Sequence, residues 1–430
     1  MKNIEGRYDA LIAGTGAAGL CCALHLPRTA RVLLITKDAA DRSDSFLAQG
    51  GICMLRGEGD FAGYFEDTMR AGHYENDEAA VRQMIERSPA MIEELVGCGV
   101  RFARDEASNF RFTREGGHSR PRILFHGDET GKEITSHLLA EARARDNLTI
   151  LEYTEILDVI VGPEGCCGGV LRDIPSGEVF PVYADATLLA TGGVGGLFRH
   201  STNYRHLTGD ALGIALRRGI AVEHLDYVQI HPTTLYSAKP GRRFLISESV
   251  RGEGAVLLDK AGARFCNELM PRDIVTGDIR AQMRKDGTDH VWLDMRPVGE
   301  RTLREHFPTI FARCRAEGYD PLQDPVPVVP AQHYFMGGVR VDLCGRTSMP
   351  RLFAAGETAC NGVHGKNRLA SNSLLESLIW AERAAQAMAG SDKLKTFPPI
   401  DAADYADVAA LRAEDAKMIR DEAEREATID

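Results

Sequence analysis

Three absences narrow the class of this protein before any motif is considered. No apolar run approaches the ~18–20 residues that a helix needs to cross a bilayer, so no membrane span is expected. The N-terminal stretch MKNIEGRYDALIAG has no basic region followed by an apolar segment and a small-residue cleavage site, so we expect no secretory leader. Acidic residues (62) outnumber basic ones (51), and the net charge of −11 disfavours a nucleic-acid partner.

The ten cysteines lack the spacing of a metal site. None belongs to a CxxC pair, so neither structural zinc nor an iron–sulfur cluster is expected. Several, such as Cys21 and Cys22, lie in apolar surroundings and predict small core side chains. We therefore expect reduced, structural thiols in a cytoplasmic protein without a metal.

A glycine-rich turn near the N-terminus is the first positive signal. The hexamer Gly14-Thr-Gly-Ala-Ala-Gly19 follows an apolar strand pattern, Tyr8–Ala13, and precedes a helix-forming run, Ala17–Leu26. A second strand pattern at Arg31–Thr36 completes a βαβ unit, which is typical of a parallel sheet. In this setting the glycines allow a tight turn and close approach of a pyrophosphate to the helix N-terminus.

The end of the second strand departs from the usual dinucleotide pattern. An acidic residue is expected there to bind a ribose hydroxyl, but Thr36 or Lys37 occupies the position. This departure disfavours NAD and leaves the ribose contact open.

A second glycine-rich turn lies far along the chain, in Asn361–Glu376. It follows a short apolar run, Leu352–Ala355, and leads into a helix-forming segment, Ser373–Ala389. A glycine-rich turn with an arginine before a helix N-terminus is typical of an anion site. Two such turns predict a chain that folds around a large nucleotide cofactor.

Eight motifs in a fixed order resemble one family. SFLAQGG, TREGGHSRPRILF, QIHPTTL, SESVRGEGAVL, PRDIV, HYFMGGV, AAGE and NRLASNSLLE are similar to the flavoprotein family of succinate dehydrogenase, fumarate reductase and L-aspartate oxidase. The resemblance spans residues 8–390. TREGGHSRPRILF and the GKNRLASNSLLE turn are most similar to the L-aspartate oxidase branch.

The resemblance implies an α/β fold with a Rossmann-like FAD-binding domain that is interrupted by an α+β substrate (capping) domain. The composition of the sequence changes near residue 225, where segments rich in polar and charged residues begin. We expect the FAD-binding domain at 1–225, the capping domain at 226–345, completion of the first domain at 346–395, and a short helical tail at 396–430. The acidic, alanine-rich tail is expected to be solvated or to dock a partner.

Two positions separate the branches of the family. Succinate dehydrogenases attach FAD through a histidine five residues before the glutamine of AQGG, and Asp44 stands there, so noncovalent FAD is expected. Glu115 stands where the dehydrogenase branch typically has glutamine and the amino-acid oxidases have glutamate. A carboxylate can pair with a substrate ammonium, which favours an amino acid over a plain dicarboxylate.

The resemblance also implies a set of site residues. His231, His333 and Arg368 would hold a dicarboxylate, because arginine can donate two parallel hydrogen bonds to a carboxylate; Arg251 and Thr234 are plausible additions. Arg272 matches the arginine to which the family assigns proton transfer, a role that requires a dry, cation-crowded pocket or a water relay. The matching FAD positions are Gly14, Gly16, Ala17, Gly19, Lys37, Ser45, Gln49, Gly50, Gly51, Asp210, Glu357, Ser373 and Leu374.

Each of these residues also has an ordinary structural interpretation. His231 and His333 could be loop hydrogen-bonders, and Arg368 a surface arginine on a polar turn. Arg272 could be an exposed residue at a helix start, and Glu115 a solvated loop charge. Glu357 could merely cap its turn.

The activity that the resemblance implies is FAD-dependent oxidation of L-aspartate to iminoaspartate, with oxygen or fumarate as acceptor, feeding quinolinate and NAD synthesis. Quinolinate synthase is a candidate partner. The alternative is a soluble fumarate reductase or succinate-oxidising flavoprotein, which shares the arginines and histidines. A third hypothesis is a flavin-binding subunit that docks to an electron-transfer partner, since relatives usually continue with a further helical domain.

Overall fold

The computed structural model describes residues 7–239 and 241–427. The first six residues, which form part of the segment judged for a leader, and the last three of the tail lie outside the described residues. The strands, in chain order, are β1 Tyr8–Ala13, β2 Val32–Ile35, β3 Ile52–Cys53, β4 Ile123–Leu124, β5 Leu148–Leu151, β6 Thr154–Gly162, β7 Gly165–Asp173, β8 Val179–Leu189, β9 Val222–Glu223, β10 Val228–Leu235, β11 Phe244–Leu245, β12 Val256–Leu258, β13 Val291–Asp294, β14 Val326–Phe335, β15 Gly338–Arg340, β16 Leu352–Ala354 and β17 Ala359–Cys360.

The helices connect these strands and cover the sheets. They are α1 Ala17–His25, α2 Asp44–Leu47, α3 Glu58–Ala71, α4 Glu78–Gly97, α5 Thr130–Arg143, α6 Asp210–Arg218, α7 Glu248–Gly252, α8 Arg272–Asp286, α9 Glu300–His306, α10 Pro308–Ala316, α11 Ser373–Ala389 and α12 Val408–Ala427. Short 3₁₀ turns lie at Gly195–Leu197, Arg296–Val298, Gly356–Thr358 and Ala402–Tyr405. Within the described part of the chain, no helix is both long and apolar enough to cross a membrane.

A parallel sheet forms the centre of the molecule. β1 lies between β2 and β8, with β5 beyond β2, and all of these neighbours run parallel. β16 comes more than 150 residues after β8 in sequence. It pairs in parallel with the last residues of β8. The sheet is therefore begun by the N-terminal part of the chain and completed near its C-terminal end.

The run Leu148–Val161 is rich in β-branched and apolar residues, which predicts a strand that could pair with Cys166–Ile174 across the Gly-Pro-Glu-Gly turn. As a single strand this prediction is wrong, because the run forms two strands. It divides at Tyr153, whose φ of 55° lies in the left-handed region and turns the chain. The first half, β5, is the parallel neighbour of β2, whereas the second half, β6, pairs antiparallel with β7 across the predicted turn. One apolar run thus forms two strands that pair with different neighbouring strands, and hydrophobic periodicity alone does not reveal this.

Apolar side chains cover both faces of the parallel sheet. Along β2, Val32 and Leu34 belong to a core that includes residues of α1, α4 and α11. Leu33 and Ile35 point into a second core with residues of β6, β7 and α6. A strand buried on both faces explains why its sequence is continuously apolar rather than alternating.

A second, antiparallel sheet lies between the two parts of the parallel sheet in sequence. Its order is β11-β10-β14-β13-β12, and its own core includes Leu257, Ile279, Leu293 and Val328. A parallel Rossmann-like sheet interrupted by an antiparallel sheet with its own helices confirms the predicted fold class.

The helical tail is present, but it is not simply solvated as expected. α12 packs against α6, and Asp415 and Ile419 are buried in that contact. The sequence did not predict this packing, because only two of the twenty residues of α12 are buried and they form no apolar stripe.

The close approach at Gly14 leads to a prediction about stability. Its φ is +118°, and a Cβ there would lie 1.9 Å from the carbonyl oxygen of Ala190. We expect Gly14→Ala to lower the free energy of unfolding by at least ~2 kcal/mol. Gly16→Ala is the matched control: its φ of −71° is ordinary, so a change under ~1 kcal/mol is expected. Urea unfolding without added nucleotide measures both, and equal losses would contradict the geometry.

Candidate active site

A large cleft runs from the carboxyl ends of the parallel strands to the second sheet. Its space, including the open mouth, amounts to about 1610 Å³. Its walls include the turn after β1, the loop that contains Gln49, His231 of β10 and the start of α11. A cleft at the carboxyl ends of the strands of an α/β sheet is the usual place for a dinucleotide with a substrate beside it.

The first glycine-rich turn forms one end of the cleft. Gly14, Gly16 and Ala17 line it, and the backbone N–H of Ala17 donates to the Ser45 hydroxyl at 3.0 Å. Gly19 does not line the cleft: a Cβ there would lie 1.8 Å from the carbonyl oxygen of Gly14, so this glycine lets α1 pack against the turn. The other twelve predicted cofactor positions all line the cleft.

The end of β2 acquires its carboxylate from elsewhere in the chain. The Nζ of Lys37 lies 2.9 Å from Asp210, the first residue of α6, and Glu155 of β6 lines the same wall. Burial alone would raise the pKa of Asp210, but Lys37 and Arg412 hold it below its ordinary value. The acid that the second strand lacks is thus supplied by the tertiary structure.

Several polar atoms on the cleft wall have no partner within the protein. Among the described residues these include Ser43 Oγ, Asp44 Oδ2, Gln49 Oε1 and Thr191 Oγ1. Glu357 accepts from the backbone N–H of Phe335 at 2.9 Å, and burial together with the nearby Asp44 raises its pKa to about 8. Unpartnered polar atoms beside a glycine turn at a helix N-terminus fit a large polar cofactor such as a flavin dinucleotide.

The five predicted substrate residues meet at the other end of the cleft. Glu115, His231, Arg272, His333 and Arg368 all line it. None of the ordinary interpretations for the arginines survives, because Arg272 is 9% and Arg368 5% exposed. The rings of the two histidines are edge to face, with centroids 5.3 Å apart.

One amide oxygen joins the two arginines. The side-chain oxygen of Gln229 accepts from Arg272 at 2.8 Å and from Arg368 at 3.1 Å. Arg272 also donates to Glu248 at 2.6 Å, and Arg368 lies over the ring of Tyr334. Two guanidiniums are therefore fixed side by side, which creates a site of concentrated positive charge.

Both histidines are neutral in this environment. Burial, then the neighbouring positive charges, lowers the pKa of His231 and of His333 well below the ordinary value. The backbone N–H of Thr233 donates to Nδ1 of His231 at 3.2 Å, which leaves the proton on Nε2. Burial and the nearby Arg272 also lower the pKa of Arg368 to about 10.

Glu115 contributes a buried carboxylate to the same corner. It accepts from the hydroxyls of Ser371 at 2.7 Å and Ser249 at 3.1 Å, and it is 9% exposed. Burial raises its pKa, although the Ser371 hydrogen bond opposes the shift. It is not the solvated loop charge of the ordinary interpretation.

Sequence reasoning missed Gln229 and Glu248, and two residues that it added, Arg251 and Thr234, do not line the cleft, although Arg251 lies 4.0 Å from Glu248. Burial would raise the pKa of Glu248, but Arg272 and Arg251 hold it below its ordinary value. Both missed residues stand inside quoted motifs, QIHPTTL and SESVRGEGAVL, so a polar residue within a motif was the available signal. Arg251 bonds the carbonyl of Glu268, and Thr234 bonds that of Val329, and neither lines the cleft.

Comparison with known proteins agrees with this geometry. A family described as FAD binding domain matches residues 9–374. The L-aspartate oxidase of Clostridium perfringens is 46% identical over 378 residues, covering 88% of this chain and 85% of that protein. The chain belongs to the L-aspartate oxidase family. The family resemblance inferred from the motifs is thereby confirmed, and with it FAD as the cofactor.

Two further comparisons place the family. The L-aspartate oxidase of Streptomyces coelicolor is 45% identical over 405 residues, which cover 90% of this chain and 70% of that protein. A solved structure of E. coli quinol fumarate reductase superposes with a TM-score of 0.85 at 30% identity, covering 95% of this chain and 74% of that one. The wider flavoprotein family therefore shares the architecture described above.

The neutral histidines predict how stability changes with pH. A histidine whose pKa is lower in the folded protein than in the unfolded chain does not reduce stability above pH ~6.5, because it is neutral in both states there. Below that pH its contribution falls by about 1.4 kcal/mol per pH unit, because the unfolded chain takes up the proton. We expect His231→Gln to flatten the decline in unfolding free energy of the cofactor-free protein between pH 7 and 5. The exposed His306→Gln is the matched control, and parallel profiles for wild type and His231→Gln would contradict the assignment.

Proposed function

We propose that this protein oxidises L-aspartate to iminoaspartate with noncovalent FAD, and that dioxygen or fumarate takes up the electrons. The observation on which this depends is the buried carboxylate of Glu115 in the same corner as two buried guanidiniums. The relatives named L-aspartate oxidase, at 39–46% identity, support the same activity.

The charges of the corner complement those of aspartate. Aspartate has two carboxylates and one ammonium, whereas succinate and fumarate have two carboxylates only. Arg272 and Arg368 offer fork-shaped donors to carboxylates, and Glu115 offers an acceptor to an ammonium. A plain dicarboxylate would leave Glu115 buried without a cationic partner, which is unfavourable.

The residues of the chain bind and orient the substrate. When bound, FAD supplies the acceptor for the two electrons and the hydrogen that leave the substrate Cα. Arg368 and the Nε2–H of His231 hold carboxylate oxygens, His333 lies beside them, and Arg272, paired with Glu248, stands at the position assigned proton transfer. A carboxylate whose pKa is raised is also a better base, so Glu115 can take the ammonium proton as the imine forms. Fixing the reacting atoms in this way lowers the entropic cost of the reaction.

The cofactor roles belong to the same proposal. Gly14, Gly16 and Ala17 would bind the pyrophosphate, with Gly19 supporting the turn. Lys37 and Asp210 would contact the adenosine, and Glu357 a ribityl hydroxyl. The remaining positions would surround the flavin ring: Ser45, Gln49, Gly50, Gly51, Ser373 and Leu374. We also propose that the FAD-binding domain comprises residues 1–225 and 346–395, the capping domain residues 226–345, and the helical tail residues 396–430.

The cellular setting is also proposed. All ten cysteines are unpaired thiols, which supports a reducing compartment such as the cytoplasm. Iminoaspartate would then be consumed by quinolinate synthase on the way to quinolinate and NAD.

The choice between aspartate and succinate is tested by anaerobic reduction of the bound flavin. We expect L-aspartate to bleach the flavin of the wild type faster than succinate does. Glu115→Gln keeps the size of the side chain but removes the charge, so aspartate should lose about a hundredfold in kcat/KM, roughly the ~2–3 kcal/mol of a buried charged hydrogen bond. Succinate serves as the internal control and should be unaffected.

Two outcomes would reverse this proposal. Bleaching of the wild type by succinate but not by aspartate would favour the fumarate reductase alternative. An equal effect of Glu115→Gln on both substrates would exclude the ammonium contact. Sustained turnover of the isolated protein with dioxygen would also argue against an obligatory electron-transfer partner.

Removal of Arg368 tests the carboxylate site separately from the cofactor. Arg368→Leu should lower kcat/KM for aspartate at least a hundredfold, because a buried bidentate partner is lost, while FAD stays bound. Lys366→Leu is the matched control, since it removes a 45% exposed cation from the same turn and should leave turnover near that of the wild type. Near-normal aspartate kinetics in Arg368→Leu would contradict the site assignment.

A further inference from the structure

One side chain of the C-terminal helix α12 contacts residues that form the wall of the cofactor cleft. Arg412 donates to Glu155 at 3.0 Å and to the backbone carbonyl of Ile156 at 2.8 Å. Its other terminal nitrogen lies 3.5 Å from Asp210. Glu155, Ile156 and Asp210 all line the cleft, so this arginine of the tail connects two separate wall segments.

The rest of α12 is anchored beneath the same wall. Ile419 packs against Gly209, where a Cβ would lie 2.8 Å from its Cδ1, and Gly209 directly precedes Asp210. Asp415 is 2% exposed and forms an ion pair with Arg217 of α6. Gly213 allows this approach, because a Cβ there would lie 2.3 Å from the Asp415 carboxyl carbon. The helix therefore supports both the turn that presents Asp210 and the helix that follows it.

Arg412 links the two carboxylates of this wall. Glu155 and Asp210 face the end of β2, where Lys37 lies 2.9 Å from Asp210 and 4.0 Å from Glu155. Arg172 donates to one oxygen of Glu155 at 2.9 Å, while Arg412 donates to the other and also lies beside Asp210. A guanidinium can bridge two carboxylates with its planar fork, which an ammonium cannot do. The end of the second strand is where the ribose of a dinucleotide is bound in this type of fold.

We infer that α12 is a cofactor-retaining element, in which Arg412 positions Asp210 and Glu155 to bind the adenosine half of FAD. This inference rests on the cofactor site of the proposed function, but it concerns the affinity for FAD and not the oxidation of the substrate. Arg412 is a positioning residue, since it acts through the two carboxylates.

The test measures FAD release from the intact holoprotein. After dilution, the fluorescence of the freed flavin gives the dissociation constant with and without ADP as a competitor for the adenosine half. Arg412→Ala should weaken FAD binding about tenfold, the order expected for a lost charged hydrogen bond, and should raise the inhibition constant of ADP by the same factor. Alanine favours helix formation, so α12 itself is not weakened. The succinate dissociation constant, measured on FAD-saturated protein, should not change.

Two variants complete the design. Arg420→Ala removes an exposed arginine from the same helix and should leave FAD and ADP binding unchanged. Arg412→Lys keeps the charge but not the fork, so its FAD affinity should lie between those of the wild type and Arg412→Ala.

Three outcomes would overturn the inference. The first is a FAD affinity in Arg412→Ala equal to that of Arg420→Ala. The second is an equal loss of FAD and succinate binding with a lowered melting temperature, which would indicate a merely structural role. The third is wild-type protein from which ADP does not displace FAD. Aspartate oxidation by FAD-saturated wild type is assayed separately, so a failure here leaves the proposed function standing.

Discussion

The structure depends on holding two buried guanidinium groups side by side. Arg272 and Arg368 are both buried and would repel each other, and the oxygen of Gln229 accepts a hydrogen bond from both. Glu248 balances one of them directly. Arg272 begins α8, Arg368 lies in the turn before α11, and Gln229 lies in β10, so three separate elements position these side chains. The two positive charges contribute, after burial, to the lowered pKa values that keep both histidines neutral, and they suit the dicarboxylate of the proposed function.

The cofactor end is built on a different principle. There the chain supplies backbone donors and glycines at the first turn, and carboxylates and cations from distant segments at the end of β2. Lys37, Glu155 and Asp210 come from three elements, and Arg412 from a fourth. The composition of the C-terminal tail predicted a solvated or partner-docking helix, but Arg412 of this helix contacts residues that line the cofactor cleft.

Much of the fold and site was predictable, for identifiable reasons. β1, α1 and α11 have strong local patterns, so their bounds were predicted within a residue. The five residues proposed to bind the substrate, which line one cleft, were selected because each stands in a motif that resembles one family. Gln229 and Glu248 stand in the same motifs but were missed, because their roles come from hydrogen bonds to arginines far away in sequence. The division of Leu148–Val161 was missed because the pairing partner of a strand is not encoded in its periodicity.

The sequence by itself determined the class of cofactor, the family and the residues proposed to bind the substrate, because glycine turns, strands and motifs are local properties of the chain. Only the tertiary structure decided that Glu115 is buried beside two arginines and that Asp210 supplies the carboxylate missing after β2. It also decided that α12 reaches the cofactor wall. These features depend on which elements pack against each other. Burial and charge pairing can join residues that are hundreds of positions apart, so a local sequence pattern does not reveal them.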